Sequence, residues 1–287
     1  MRIDLHTHTV ASDGLLTATE LVCLARQSGV GILAVADHDS TEGVEEALRA
    51  GRDAGVEVIP AVELNTDVPG TEVHILGYFI DYRLEWLQVL LRRLREGRLH
   101  RARRMVEKLA ALGAPIRLER VLALAGGGAV GRPHVARALV EAGHVGETAE
   151  AFARYIGRNG PAYVERLKVA PAQAVEIIRH AGGVPVLAHP GWLGDEAMVD
   201  ELLAAGLEGI EAYYPDHTPA MVERYLKIAR SRGLLVTGGT DFHGGDLATR
   251  VPPGSQYVPP EAVDRLRERA RGRHPSKDGP ALELVEE

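Results

Sequence analysis

The sequence predicts an α/β protein, a mainly parallel sheet of about seven strands curled into a barrel, with helices outside and one helical insertion. Two features lead there. Short apolar runs alternate with amphipathic stretches of helical period, as strand–helix units around a parallel sheet do. That alternation fails once, between residues 84 and 169, where helical patterns follow one another with no convincing strand. Of the 287 residues 45% are apolar and 25% charged. Such a balance excludes collagen-like, disordered and disulfide-scaffold classes and allows one large domain carrying an insertion.

In chain order, strands are expected at 2–6, 31–36, 57–64 and 72–80, with helices over 17–28 and 41–54 between them. Thr17 followed by Glu20 three residues on is a capping box for the first helix. The insertion opens with a long arginine-rich helix over 84–112, followed by helices at 118–125, 133–142 and 148–155. Turn clusters at Gly126-Gly127-Gly128 and at 157–161 separate them. The barrel resumes with strands at 184–188, 209–213 and 234–237 and helices over 171–181, 195–205 and 219–232. Gly29, Gly55, Gly183 and Gly233 are read as helix stops. The division is therefore a barrel of 1–83 and 170–271, a helical insertion of 84–169, and a tail of 272–287 expected to be loosely ordered.

With 33 Lys and Arg against 40 Asp and Glu, the net charge is −7. That disfavours a broad nucleic-acid surface but leaves room for a local basic pocket. Cys23 has no possible disulfide partner, which suits a reducing cytoplasm, and its helical setting reads as a small core residue. No apolar run approaches the roughly 20 residues of a membrane span. Neither a membrane nor an obligate protein partner is expected.

The histidines carry the chemistry. His6 and His8 close the first strand in Asp4-Leu5-His6-Thr7-His8, and Asp37-His38-Asp39 closes the second. Glu63 ends the third strand, His74 lies inside the fourth, His189 ends the fifth, and Asp241 and His243 follow the seventh. In a parallel barrel the C-terminal strand ends share one rim, where such folds place their sites. Six of seven strands would thus deliver imidazole or carboxylate to one mouth. Singly, each motif reads as a cap, a turn or a strand end; jointly they read as a metal site. Imidazole plus carboxylate without thiolate suits Zn²⁺, Mn²⁺ or Fe²⁺. Counting Asp13, nine candidates exceed one ion's needs, so two or three ions with shared carboxylates are expected. Most of His100, His144, His180, His217 and His274 read as plain surface residues, and Trp86 and Trp192 as packing or pocket wall.

Asp4-Leu5-His6-Thr7-His8, Ala36-Asp37-His38-Asp39, Ala188-His189-Pro190-Gly191 and Asp241-Phe242-His243 resemble, in order, the four motifs of the PHP (polymerase and histidinol phosphatase) superfamily. Ala11-Ser12-Asp13-Gly14, Gly128-Ala129-Val130-Gly131-Arg132-Pro133-His134 and the insertion resemble its bacterial subgroup of nucleoside 3′,5′-bisphosphate phosphatases, which includes a 5′→3′ exoribonuclease. The resemblance implies a distorted (β/α)₇ barrel with a trinuclear centre, usually of Mn²⁺, Zn²⁺ or Fe²⁺. It implies His6, His8, Glu63 and Asp241 at a first metal, Glu63, His74 and His189 at a second, and Asp13, His38 and His243 at a third. Two departures stand out. Ala36 replaces a common Thr without consequence for ligation, and Asp13 replaces the His of some relatives, favouring Mn²⁺.

A divalent cluster suits phosphoester hydrolysis by in-line attack of an activated water. Asp13 and His38 are the catalytic candidates beyond ligation, with Asp39 an alternative to Asp13 for proton transfer. Arg98 and Arg101, three apart on one helix face, read alone as solvated charges. Arg132 and His134 stand at a helix start that favours an anion. The resemblance implies that these four grip a second phosphate, with Lys168 a weaker candidate. The expected substrates are adenosine 3′,5′-bisphosphate and its kin, and short 5′-phosphorylated single-stranded RNA. Alternatives are a histidinol-phosphate phosphatase, which the basic insertion disfavours, a DNA-editing phosphodiesterase, and a non-catalytic metal-binding module.

Overall fold

A computed structural model of the chain describes residues 1–68, 71–165, 167, 169–192, 196–245 and 251–281. In chain order the elements are β1 (Arg2–Thr7), α1 (Ala18–Gln27), β2 (Val30–Val35), α2 (Val44–Ala54), β3 (Glu57–Val68) and β4 (Thr71–Tyr78). Then come α3 (Glu85–Ala111), α4 (Leu118–Ala125), α5 (Arg132–Glu141) and α6 (Thr148–Ala151), the last running into a π-helical turn at Phe152–Ile156. The chain returns through α7 (Pro171–His180), β5 (Val184–Leu187), α8 (Ala197–Ala205), β6 (Gly209–Tyr213), α9 (Pro219–Arg232), β7 (Leu235–Gly238) and α10 (Pro260–Ala270). No helix among the described residues is long and apolar enough to cross a membrane. Lys168 and the expected helix start at Asp195 lie outside the described residues.

The seven strands pair in chain order. β1 and β7 meet where Thr7, the last residue of β1, forms a single parallel bridge with Phe242 beyond the end of β7, and His8 N–H donates to Phe242 O at 2.9 Å. Asp4 reinforces this seam, accepting from Thr240 N–H at 3.0 Å, Thr240 O–H at 2.7 Å and Gly254 N–H at 2.8 Å. The ladders slip between Asp4 and Thr7 and between Glu211 and Tyr213. Such irregularities re-aim side chains, and both flank residues of the site described below.

One strand departs from the expected direction. β4 runs antiparallel to both β3 and β5. Two residues, Pro69-Gly70, separate β3 from β4, far too few for the crossover a parallel pair needs. A Pro-Gly pair is itself a turn signal. His74 therefore reaches the rim from the early part of a strand that runs away from it, opposite Asn65 of β3.

The barrel interior is filled by Leu5, Ile32, Ala34, Ile59, Ala61, Leu76 and Val186, and Val263 and Leu266 of α10 pack against the same cluster. α10 is absent from the sequence expectation because its few apolar residues are hidden among charges. Residues just beyond it make contacts with the barrel. Arg273 reaches Glu208 at 2.5–2.6 Å and Gly183 O at 2.7 Å, and Ser276 N–H donates to His180 O at 2.8 Å. α3 belongs to two cores. Leu87, Leu90, Leu91 and Leu94 pack on the barrel, whereas Ala102, Met105 and Leu109 pack with α4 and α5.

Two smaller expectations change. Cys23 is exposed, because helical period turns Leu21, Val22 and Ala25 inward instead. The stop after α7 is Gly182, at φ 77°, whereas Gly183 lets Ile80 and the Tyr78 carbonyl approach closely.

Candidate metal centre

All nine residues that the sequence nominates as ligands meet at the rim formed by the C-terminal ends of β1, β2, β5 and β7, by His74 of β4 and by Glu63, which lies in the middle of β3 because that strand runs on to Val68 instead of ending beside it. Glu63 is the hub. Its Oε2 lies 3.3 Å from His6 Nε2, 3.4 Å from His8 Nε2 and 2.7 Å from His38 Nδ1. Its Oε1 lies 2.9 Å from His74 Nδ1 and 3.0 Å from His189 Nε2. Asp241 Oδ1 sits 2.9 Å from His8 Nε2 and 3.3 Å from His6 Nε2. Asp13 Oδ1 is 3.2 Å from His243 Nε2.

Three sets place their donor atoms within 4.8 Å of one another: His6, His8, Glu63 and Asp241; His38, Glu63 and His74; and His8, Asp13, His38 and His243. The grouping differs from the one the resemblance implies, since His38 stands in place of His189 beside Glu63 and His74, and His8 joins the third set; His189 Nε2 nonetheless lies 3.0 Å from Glu63 Oε1. These residues fit divalent ions on a further observation. His6 Nε2, His8 Nε2, His38 Nδ1 and Glu63 Oε2 are sealed from solvent, yet none has hydrogen-bond geometry. Buried polar atoms are ordinarily satisfied. Lone pairs crowded around one point without hydrogen bonds are arranged as a metal's ligands are.

Charge is distributed unevenly among the imidazoles. Burial, then the neighbouring His243 and His38, push His8 down to about 3, so it is neutral. Burial opposes charge on His243 as well, but Asp13 and then Asp241 raise it to about 10. His6 is raised well above its ordinary value against burial, by Glu211, Asp241 and Glu63. Burial would raise Glu63 too, and His38, His6 and His74 hold it well below the usual carboxylate range. Without metal, the site thus keeps protons that an ion would have to displace.

The backbone is strained here. Among described non-glycine residues, positive φ occurs at Asp39 (49°), His189 (26°) and Asp241 (51°), all at the rim, and elsewhere only at Phe79. Each such residue costs about 1–3 kcal/mol unless its surroundings hold it. The supports are visible. Asp37 accepts from Thr9 N–H and Ser12 O–H at 2.7 and 2.6 Å, fixing the loop that presents Asp13. Tyr214 O–H donates to Asp241 Oδ2 at 3.0 Å.

Glu211 of β6, missed in the sequence, makes the sixth strand contribute as well. Fully buried, it faces His6 Nδ1 at 3.1 and 3.2 Å and accepts from His189 N–H at 2.8 Å. A carboxylate on the far nitrogen of a ligating imidazole fixes the ring and its tautomer. The available signal was a Glu at the centre of an otherwise apolar strand, tolerable only if paired.

The cationic candidates come from α3 and α5. Arg98, Arg101, Gly131 and Arg132 line one narrow cavity. Arg98 is buried rather than solvated. Its Nε and NH2 donate to Asp39 Oδ2, and NH2 also donates to Asn65 Oδ1 at 2.8 Å. Arg101 is buried too, donating from Nε to Val164 O at 2.7 Å with its guanidinium over the Tyr163 ring. Arg132 donates to Glu72 Oε1 at 2.6 Å. His134 Nδ1 accepts from Gly131 N–H at 2.9 Å, closing the first turn of α5, and burial lowers its pKa. His134 is thus a neutral helix cap rather than a fourth cation, and it does not line the cavity.

Comparison with known proteins agrees with this architecture. The PHP domain family matches residues 4–160. The chain is 37% identical over 256 residues to the 5′-3′ exoribonuclease Rnm of Salmonella typhimurium, covering 84% of each. It is 34% identical over 264 residues to the 3′,5′-nucleoside bisphosphate phosphatase of Chromobacterium violaceum, covering 90% of this chain and 93% of that one. A crystal structure from Bifidobacterium adolescentis, assigned as a metal-dependent phosphoesterase, superimposes with a TM-score of 0.86 at 33% identity. It covers 93% of this chain and 96% of its own.

Proposed function

We propose, from the premise that this chain belongs to the PHP domain family and hydrolyses phosphoester bonds, that its substrates carry a 5′-phosphate together with a 3′-phosphate or 3′-phosphodiester. These are nucleoside 3′,5′-bisphosphates such as adenosine 3′,5′-bisphosphate, and short single-stranded RNA taken from its 5′ end. The observation that carries the proposal is the adjacency of two sites. Arg98 bonds both to Asp39, next to His38, and to Asn65, opposite His74. Three arginines of the insertion thus abut the ligand cluster, where a nucleotide's second phosphate would compete with Asp39 and Glu72 for two of them. The activities named for the two relatives fit the same pair of substrates.

In this account His6, His8, Glu63 and Asp241 would hold one divalent ion, Glu63, His74 and His189 with His38 a second, and Asp13, His38 and His243 a third. Mn²⁺ is favoured by the oxygen of Asp13, with Zn²⁺ and Fe²⁺ as alternatives. When bound, the ions supply Lewis acidity and a nucleophile at neutral pH. The chain's own residues do the rest. Arg98, Arg101 and Arg132 of the insertion grip the 5′-phosphate, and the Gly131 turn with its His134 cap lets backbone approach it. Asp13, kept an anion by His38 and His243 although burial opposes the charge, is placed near the third set as the candidate for proton transfer. Asp39 is less suited to that task, because its oxygens accept from Asn65 N–H and from the charged Arg98 guanidinium. The single cysteine suggests a cytoplasmic setting.

The test uses metal-stripped protein reloaded with Mn²⁺ and given adenosine 3′,5′-bisphosphate or a 5′-phosphorylated oligoribonucleotide. AMP, or stepwise 5′-mononucleotides, is the expected product, lost on His8→Ala and selectively weakened on Arg132→Ala. Preferential turnover of histidinol phosphate would overturn the proposal. So would intact, metal-loaded protein that hydrolyses neither nucleotide substrate.

A further inference from the structure

We infer that Asn65 is a positioning residue that couples the arginine pocket to the metal centre, so that a 5′-phosphate and a metal ion change each other's affinity. The inference rests on the function proposed above.

Asn65 stands on β3 directly opposite His74 of β4 and is buried. Its amide is used on both sides. Oδ1 accepts from Arg98 NH2 at 2.8 Å, while Nδ2 lies 2.9 Å from His74 Nε2. An amide offers its acceptor on one side and its donor on the other. Arg98's hold on Oδ1 therefore turns Nδ2 toward His74, and that imidazole in turn presents Nδ1 to Glu63 Oε1 at 2.9 Å. The backbone of Asn65 is tied into the same unit, since its N–H donates to Asp39 Oδ1 at 3.0 Å while Asp39 Oδ2 holds Arg98.

Neither end can move alone. A phosphate that draws Arg98 toward the pocket releases the amide oxygen, and the amide no longer fixes the His74 ring. An ion that takes a His74 lone pair reorients the ring against Nδ2 and so disturbs Arg98. A second contact follows the same route. Arg132 pairs at 2.6 Å with Glu72, two residues before His74 on β4, and Glu72 Oε2 lies 4.0 Å from His74 Nε2. Two arginines of the pocket therefore dock on the hairpin that carries one ligand. Thermodynamic reciprocity requires that the factor by which a 5′-phosphate changes metal affinity equal the factor by which the metal changes 5′-phosphate affinity.

The experiment measures Mn²⁺ dissociation from the holoenzyme by chelator competition, with and without saturating AMP. AMP has the 5′-phosphate and no 3′-ester to cleave; adenosine is the control, and equilibrium dialysis measures AMP binding directly. The native protein should show a change of about 5-fold or more in the Mn²⁺ dissociation constant with AMP, and little with adenosine. Asn65→Leu should abolish that AMP effect. Asn65→Asp, which keeps an acceptor for Arg98 but loses the donor toward His74 and adds a negative charge beside the pocket, should bind AMP more weakly than the native protein and, at saturating AMP, also lose the effect. AMP that binds but leaves Mn²⁺ retention unchanged would overturn the coupling and spare the proposed function. An AMP effect of equal size in native protein and both variants would do the same. Failure of AMP to bind at all would overturn both.

Discussion

Replacing Glu211 with Gln removes one charge from the barrel and almost no volume, so it isolates what that carboxylate does. In the native arrangement Oε2 takes the His189 N–H at 2.8 Å, and both oxygens face His6 Nδ1, at 3.1 and 3.2 Å. A glutamine has one acceptor oxygen. If that oxygen serves His189, the amide N–H₂ confronts His6 Nδ1–H, donor against donor, inside a site with no water access. If it serves His6 from the other position, the His189 N–H is orphaned and the strained turn at φ 26° loses its anchor. Either way a ligand from β1 or β5 is loosened, and the charge that favours a ligating His6 is gone. Removing such a partner ordinarily weakens metal binding 10–100-fold, or about 1.4–2.7 kcal/mol. Competition with a chromophoric chelator measures this directly, and circular dichroism controls for folding. A folded Glu211→Gln protein whose Mn²⁺ affinity lies within about twofold of the native value would refute the reasoning.

Three other perturbations are informative. Arg132→Ala removes a charged hydrogen-bonding group of the kind worth about 1.5–3 kcal/mol; KM for adenosine 3′,5′-bisphosphate should rise about 10–100-fold, while turnover of a simple aryl phosphate changes little. Metal affinity should increase from about pH 6 to about pH 8. In metal-free protein His243 is raised to about 10 and His6 well above its ordinary value, so both hold protons near neutrality that metal binding must release. Calorimetry in two buffers of different ionisation enthalpy would count those protons, and pH-independent affinity would contradict the assignment. Leu266→Ala, which hollows the contact between α10 and the barrel interior, should cost about 2–5 kcal/mol of stability. Denaturant unfolding measures that loss, and kcat of the folded fraction should stay unchanged.

Most of the architecture is written in short-range patterns. Thr17 and Glu20 form the capping box that their spacing announces, and the insertion helix over 118–125 appears with the same bounds. The nine nominated ligands were visible because His and carboxylate recur after successive apolar runs, and a parallel sheet converts that recurrence into one rim. What escaped were features defined by partners far away in sequence. β4's direction depended on noticing that only two residues separate it from β3, too few for a parallel crossover. Glu211 and Asn65 sit on strands as ordinary-looking residues, and only the fold brings them to His6 and His74. Arg98 carried the opposite ambiguity. Its arginine-rich helix looks solvated, yet period and packing bury this guanidinium against Asp39. α10 escaped because four apolar residues among many charges give little signal until a barrel end is there to receive them.

The most direct test of the account is anomalous diffraction at the manganese edge from crystals of the Mn²⁺-loaded protein. Two or three peaks are predicted, all within ligand distance of Glu63, Asp13 or Asp241, and the peak between His6 and His8 should vanish in His8→Ala. Manganese bound elsewhere, or absent from a folded and active enzyme, would contradict the central claim that these nine residues form its catalytic metal centre.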